Sequence, residues 1–260
     1  MEKIIENGII GIFDLLGYKN FVSNNSINDC ARDIKSIIIE LPNMVKKRIL
    51  EFYDDNHSDP NSLKSQIDSF LEKNLHYIIV SDTILLAFDF QELMSEDADF
   101  FTYIALYYIT CFQETSFDKG FPMRGCVDIG EFYFYDNTFA GNTIVNSFNE
   151  SDMLNFSGTI ITANAIKILK EKHTKSIDAF IEFFVEKYKV PLKDDVEEYK
   201  YIIGCPIDIR DWEKDDLRQI IFESFHAHKK EIDLSVIEKI NNTENIVRLF
   251  LMKRKGGYFA

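Results

Sequence analysis

Along the chain, short apolar runs alternate with longer segments whose apolar residues recur at helical spacing, which predicts a mixture of strands and helices. Gly8 to Phe13 is an Ile-rich run closed by Asp14 and reads as a buried strand. From Ile27 to Phe52 the spacing becomes helical, Asp54 to Asn61 is a polar break containing Pro60, and Ser62 to Lys73 predicts a second, short helix. Tyr77 to Val80 and Thr83 to Phe88 are β-rich runs on either side of Ser81-Asp82, a hairpin pattern. A long helix fits Asp97 to Phe117. Gly120-Phe121-Pro122 then punctuates the chain, and a strand from Met123 to Ile129 follows, with Glu131 to Tyr135 continuing it. After Gly141 an amphipathic helix reaches Leu154, Gly158 to Thr162 returns as a strand, and Ala163 to Tyr188 reads as helix broken near Thr174. A strand from Tyr199 to Cys205, a helical region from Asp211 to Lys253 and a solvated tail over Lys253-Arg254-Lys255-Gly256-Gly257 complete the pattern.

The order strand, helix, hairpin, helix, strand matches a ferredoxin-like βαββαβ core, an α/β (α+β) fold with added helices, mostly C-terminal. Residues 1–165 are expected to form this core, and residues 166–260 to add a strand and helices packed on the same domain. The pattern alone does not separate that arrangement from a small helical subdomain.

With 260 residues, of which 46% are hydrophobic, the chain can bury a sizeable core, and its 23 Phe and 12 Tyr favour broad sheet faces. A formal charge of -14 argues against nucleic acid as a partner, because backbone binding runs on clustered Lys and Arg. Any anionic ligand must be handled locally, by a bound metal, helix N-termini and a few placed cations. Cys30, Cys111, Cys126 and Cys205 form no C-x-x-C pair and read as reduced core thiols. The opening Met1-Glu2-Lys3 lacks a secretion-signal pattern and no apolar run is long enough to span a bilayer, so a cytoplasmic protein without membrane partners is expected.

In the strand order above, Asp14 at a strand end and Asp82 at the hairpin turn can converge. Two carboxylates aimed at one point repel unless a cation lies between them, and Mg²⁺ is the oxygen-seeking ion that also grips phosphates. Two such ions about 4 Å apart would clamp a displacement at phosphorus. The N–H groups of Leu15, Leu16, Gly17 and Tyr18, at the start of the next helix, form a candidate anion site, with Lys19 near enough to add a charge. Taken singly, Asp14 also reads as a helix cap and Asp82 as a polar turn residue, although Ser81-Asp82 lacks the glycine that two-residue hairpins favour.

The segments Gly11-Ile12-Phe13-Asp14-Leu15-Leu16-Gly17-Tyr18, Val80-Ser81-Asp82-Thr83-Ile84-Leu85-Leu86-Ala87-Phe88 and Met123-Arg124-Gly125-Cys126-Val127-Asp128-Ile129-Gly130-Glu131 together resemble class III nucleotidyl cyclases in order and spacing. The wording from Phe13 to Lys19 and the Arg124-Gly125 opening are most similar to the pyrimidine cyclases of bacterial Pycsar anti-phage systems. The resemblance covers about Gly8 to Thr162. It implies two Mg²⁺ or Mn²⁺ ions on Asp14, Asp82 and the Leu15 carbonyl. It further implies conversion of UTP or CTP to the cyclic mononucleotide, a homodimer whose partner helix after Gly141 completes the site, and a separate cyclic-nucleotide-responsive effector. Two departures stand out. The base-reading Lys that adenylyl cyclases carry before the second aspartate is absent from Ile78-Ile79-Val80-Ser81, and the helix after Gly141 offers Asn146 and Asn149 but no Arg. Transition-state stabilisation would then fall to Asn146 or to Arg124, and Arg124 reads equally as a strand-end salt bridge. A non-catalytic nucleotide-binding or scaffold protein, and another palm-like phosphoryl transferase, remain alternatives.

Other candidates are weaker. His226 and His228, two apart on a helix, face different sides. Lys193 to Glu198 and Asp211 to Asp216 read as surface charge, and Phe132 to Tyr135 as strand aromatics divided between core and surface.

Overall fold

A computed structural model describes residues 3–56, 60–90, 95–135, 138–172, 174–208 and 216–255. Its first strand, β1 (Lys3–Leu15), alternates as a two-sided strand must: Ile9, Phe13 and Leu15 enter the main core, while Ile10 and Ile12 join a smaller cluster with Ala87 and Phe132. Asp14 therefore shares a face with Ile10 and Ile12. Two short helices follow, α1 (Tyr18–Asn24) and α2 (Ile27–Asp33), the second capped by Ser26, whose side chain accepts from the Asp29 N–H.

The helical spacing expected over Ile27 to Phe52 resolves into α2, a π-helical stretch at Ile34–Ile39 and α3 (Leu41–Asn56). Its run of Ile34, Ile37, Ile38 and Ile39 buries only Ile38, so one wide turn absorbs apolar residues that a straight helix would point elsewhere. α4 (Pro60–Asn74) starts on a proline, which lacks the N–H that a first helical position cannot use. The polar break read over Asp54 to Asn61 is accordingly shorter, and residues 57–59 lie outside the described residues.

The hairpin forms as expected from β2 (Leu75–Val80) and β3 (Thr83–Phe88), with Ser81 at φ 59. α5 (Ser95–Asp118) leads into β4 (Met123–Tyr135), which pairs with the three-residue β5 (Thr138–Ala140) that the pattern does not signal. α6 (Asn142–Met153) and β6 (Gly158–Ile161) come next, then α7 (Ala163–Lys172) and α8 (Lys175–Phe184).

Beyond this point the expectation fails in part. The chain leaves the helix at Val185 and runs as β7 (Val185–Pro191), where helix was expected to Tyr188; β8 (Glu197–Ile203) pairs antiparallel with it. The helical region expected from Asp211 is α9 (Leu217–His226), a 3₁₀ turn at Ala227–Lys229 and α10 (Leu234–Lys255). Lys253 to Lys255 thus belong to a helix and not to a tail, while Gly256, Gly257 and residues 211–215 lie outside the described residues.

The sheet runs β2-β3-β1-β4-β6-β8-β7. Pairs among the first four strands are antiparallel, with helices on the β1-to-β2 and β3-to-β4 crossovers, which is the βαββαβ arrangement; β4–β6 is parallel. Helices α3, α4 and α5 cover one face with a core that includes Phe13, Phe70, Phe88, Tyr108 and Phe112. Phe13 and Phe112 lie 5.3 Å apart between centroids, and full burial of such a ring contributes about 2 kcal/mol. α6 lies across the opposite face, and residues beyond 165 extend the sheet and join Phe156 in a second cluster with Ile202, Leu217, Ile221, Ile246 and Val247.

Candidate active site

The end of β1 carries the acidic pair. Register pairs Asp14 with Thr83, and the Leu15 N–H donates to the Asp82 carbonyl at 2.9 Å, so the strand end is stitched to the hairpin turn. Burial raises the pKa of Asp14 above the usual carboxylate value; Arg124 opposes this, and the negative charges of Asp82 and Asp152 add to it. Asp82 is half-buried, and among the described residues its carboxylate accepts no hydrogen bond. Tyr18 stands beside it: burial, then the charge of Asp82, push its pKa up, and Ser81 opposes this.

Arg124 faces Asp14 directly across β1–β4. Its Nε donates to Asp14 Oδ2 at 2.9 Å, Nη1 donates to the Asp152 carbonyl at 2.7 Å, and Nη2 donates to Asp152 Oδ1 at 2.7 Å. Lys193 also holds Asp152 Oδ1, at 2.7 Å. The guanidinium is therefore a clamp that ties β1 to the C-terminal end of α6, and of the two readings of Arg124 the salt bridge is the one observed. It engages one oxygen of Asp14 and leaves Oδ1 to other partners.

The expected anion site needs correction. The Leu15 N–H is spent on Asp82 and the Leu16 N–H donates to the Pro122 carbonyl at 2.8 Å, so neither is available to a ligand. Gly17 and Tyr18 remain; Gly17 adopts φ 77, a left-handed conformation that favours glycine, and is exposed. Lys19 is exposed on the first turn of α1.

Asn146 is not brought to Asp14 within one chain. With Asn149, Glu150 and Met153, at helical spacing along one flank of α6, it lines a cleft of about 520 Å³ closed by Asp128, Thr162, Asn164, Glu198 and Lys200. Lys200 ion-pairs with Glu150 at 2.8 Å and Glu198 at 2.9 Å. Asp128 is 4% exposed, and its Oδ1 accepts from the Thr162 hydroxyl at 2.5 Å and from the Ile129 N–H at 2.9 Å. Sequence reasoning passed over Asp128, Asp152 and Lys200. Asp128 sits inside the quoted Arg124-to-Glu131 motif and was readable there, whereas Lys200 reaches the cleft only through the β6–β8 pairing.

Could these residues hold a divalent ion? Among the described residues no group of three His, Cys, Asp or Glu converges, so the chain would supply only Asp14 Oδ1, Asp82 and the Leu15 carbonyl. That sparse, all-oxygen set suits Mg²⁺, which keeps several waters and takes further oxygens from phosphates, and it does not suit a softer ion. The residues present fit the group.

The catalytic core of a rhodopsin-guanylyl cyclase with converted specificity, solved with ATPαS, superposes on 78% of this chain and 98% of its own, with a TM-score of 0.50 at 12% identity. The fold is that of a class III nucleotidyl cyclase domain. The monomeric guanylyl cyclase domain of the RhoGC fusion protein from the aquatic fungus Blastocladiella emersonii covers 78% of this chain and 96% of its own, at TM-score 0.49 and 11% identity. A bacterial light-regulated adenylyl cyclase covers 85% and 99%, at 0.44 and 10%. No family model matches the chain, and no curated protein matches its sequence. In the cyclase fold of this chain, the elements from β1 to β6 carry the acidic pair, Arg124 and Asn146, whereas Lys193 and Lys200 belong to the C-terminal extension of the sheet.

Proposed function

We infer that the protein is a nucleotidyl cyclase that drives the ribose 3′-hydroxyl of a nucleoside triphosphate onto the α-phosphate and expels pyrophosphate. The observation that carries this reading is that Asp14 and Asp82 stand at one sheet end, close enough for the charge of Asp82 to add to the raised pKa of Asp14, while among the described residues the Asp82 carboxylate accepts no hydrogen bond. Two Mg²⁺ or Mn²⁺ ions held by Asp14, Asp82 and the Leu15 carbonyl would lower the pKa of the attacking hydroxyl and neutralise the leaving group. Arg124 aims the Asp14 carboxylate, and the N–H groups of Gly17 and Tyr18 receive the polyphosphate.

Asn146 acts from the partner subunit. Support for a homodimer comes from the apolar side chains left exposed on and beside α6: Val145 is 56% exposed and Phe148 52%, and Val80, on the sheet face that α6 covers, is 64% exposed. A pyrimidine substrate, UTP or CTP, follows from the sequence resemblance and from the absence of a Lys before Asp82. The anti-phage role and a cyclic-nucleotide-responsive effector rest on the same resemblance.

Incubation of the purified protein with each of the four triphosphates and Mn²⁺, read by mass spectrometry, tests this reading. A cyclic pyrimidine mononucleotide is expected. Nucleotide binding without product from any of the four would leave the second reading, a nucleotide-binding protein without turnover, and linear oligonucleotides would indicate a palm-like transferase. One observation favours the second reading: Lys200, the one cation lining the Asn146 cleft among the described residues, is already paired with two carboxylates.

A further inference from the structure

The least expected side chain in the molecule is Lys230. It is 2% exposed, and among the described residues it has no carboxylate partner. Its Nζ donates to the Gly120 carbonyl at 2.6 Å and the Ser224 carbonyl at 3.2 Å, and lies 5.5 Å from the centre of the Phe121 ring. An ammonium ion held only by carbonyl dipoles and a ring face is expensive to bury, and such a group marks a candidate functional position.

Its neighbours show what it touches. A Cβ built on Gly17 would meet Lys230 Cδ at 3.0 Å, so the lysine stem lies directly against the turn that follows Asp14. Gly120, which accepts the Nζ hydrogen bond, begins the segment whose Pro122 carbonyl accepts from the Leu16 N–H. One side chain thus braces the Gly17 turn, the entry to β4 and the C-terminal end of α9.

The segment that delivers it, Ala227 to Glu231, is itself strapped down. His228 stacks on Phe121 at 4.4 Å; its Nε2 donates to the Lys119 carbonyl at 2.9 Å, and its Nδ1 lies 3.1 Å from Asp33 Oδ2. Asn25 donates to the His228 carbonyl and Asn24 to the Lys229 carbonyl, while the Glu231 N–H donates to Asn20 Oδ1. His228 and Lys229 hold φ of 57 and 58, strained values for residues with side chains. A Cβ on Gly120 would sit 2.4 Å from that of Ala227, so this close approach requires the glycine.

We propose that Lys230 is a positioning residue for nucleotide binding: it fixes the Gly17 turn and supplies the positive potential with which that turn receives a polyphosphate. The inference rests on the role proposed above for Gly17 and Tyr18. A buried charge acts through low-dielectric surroundings and is screened far less than the exposed Lys19. Burial alone pulls the Lys230 pKa down to about 7, so a polyanion at the turn should draw a proton onto the lysine as it binds. The titratable groups on the elements packed around it include Tyr18 and Lys19, Asp118 and Lys119, Glu223 and His226, and His228 with Asp33, Lys229 and Glu231, and burial is the one cause of its lowered pKa.

The test uses the full chain with inorganic tripolyphosphate and Mg²⁺, a probe that carries no base. Titration calorimetry at pH 7.5 in two buffers of different ionisation enthalpy reads affinity and proton uptake together. The wild type should bind and take up a fraction of a proton. K230M, which keeps the apolar stem, should fold and melt no lower, since replacing a buried charge by an apolar isostere is often neutral or stabilising, yet bind about tenfold more weakly without proton uptake. K230R should bind like the wild type, also without uptake. Wild-type affinity in K230M, K230R binding as weakly as K230M, or no tripolyphosphate binding by the wild type would each overturn the proposal. Where K230M does not fold, K230R decides. Proton-linked binding in a protein that makes no cyclic product would leave this inference standing and remove turnover.

Discussion

On one side of β1 lies the hairpin that delivers Asp82; on the other lies β4, followed by the strands and helices of residues 166–255. The first side supplies carboxylates to the strand end, and the second supplies most of the cations around it. Lys193 shares Asp152 with Arg124, Lys230 braces the Gly17 turn, and Lys239 lies near enough that burial and the charge of Arg124 lower its pKa, which Asp233 and Glu238 oppose. The proposed nucleotide-handling chemistry is thus divided between a βαββαβ core and an addition that extends its sheet.

The largest effect should come from the acidic side. Asp14→Asn and Asp82→Asn are each expected to lower product formation by more than about a hundredfold, beyond the loss typical of removing an outer-shell metal partner. Each should also abolish the thermal shift that Mn²⁺ gives the wild type. Wild-type turnover in either variant would end the division.

A mixing experiment comes next. Asn146→Ala should be nearly inactive alone, as should Asp14→Asn. Equal parts of the two should recover about a quarter of wild-type activity, because half of random pairs are mixed and each mixed pair holds one intact site. No recovery after subunit exchange would rule out a site shared between subunits, and full activity of Asn146→Ala alone would place Asn146 outside the reaction.

Arg124→Met should destabilise the fold by about 2 kcal/mol in denaturant titrations, since it leaves the half-buried Asp14 without its partner. The smallest effect, and the most diagnostic of the two sides, is the slope of stability against pH. The raised pKa of Asp14 means its contribution is complete below 3.8 and is lost as pH rises through its folded-state value; Asp14→Asn should flatten that fall. Lys230 behaves oppositely: with a pKa lowered to about 7 it should make the wild type gain stability between about pH 7 and 10.5, a gain that K230M should lack.

Much of the acidic side was legible in the sequence. The β1 run closed by Asp14, the hairpin around Ser81-Asp82, α5, β4, α6 and β6 all follow from apolar spacing and turn residues, and their topology follows from their order. The cationic side was not. β7 was read as helix because Ala179 to Lys189 has no Gly or Pro to mark the change at Val185, and a short edge strand with mixed charge carries little alternation. Arg124 could be named but not assigned, because only the β1–β4 register sets it opposite Asp14. Lys230 gives no local signal at all. A lysine is expected in solvent, and its burial arises from the joint packing of Gly17, Gly120 and Ser224, residues far apart in the chain.

The layout of the sheet has a consequence for biosynthesis. Translation proceeds from the N-terminus, so Asp14, Asp82 and Asp128 leave the ribosome well before Lys193, Lys200, Lys230 and Lys239. The carboxylates of the strand end are thus in place along the chain before the lysines that the later strands and helices bring to it.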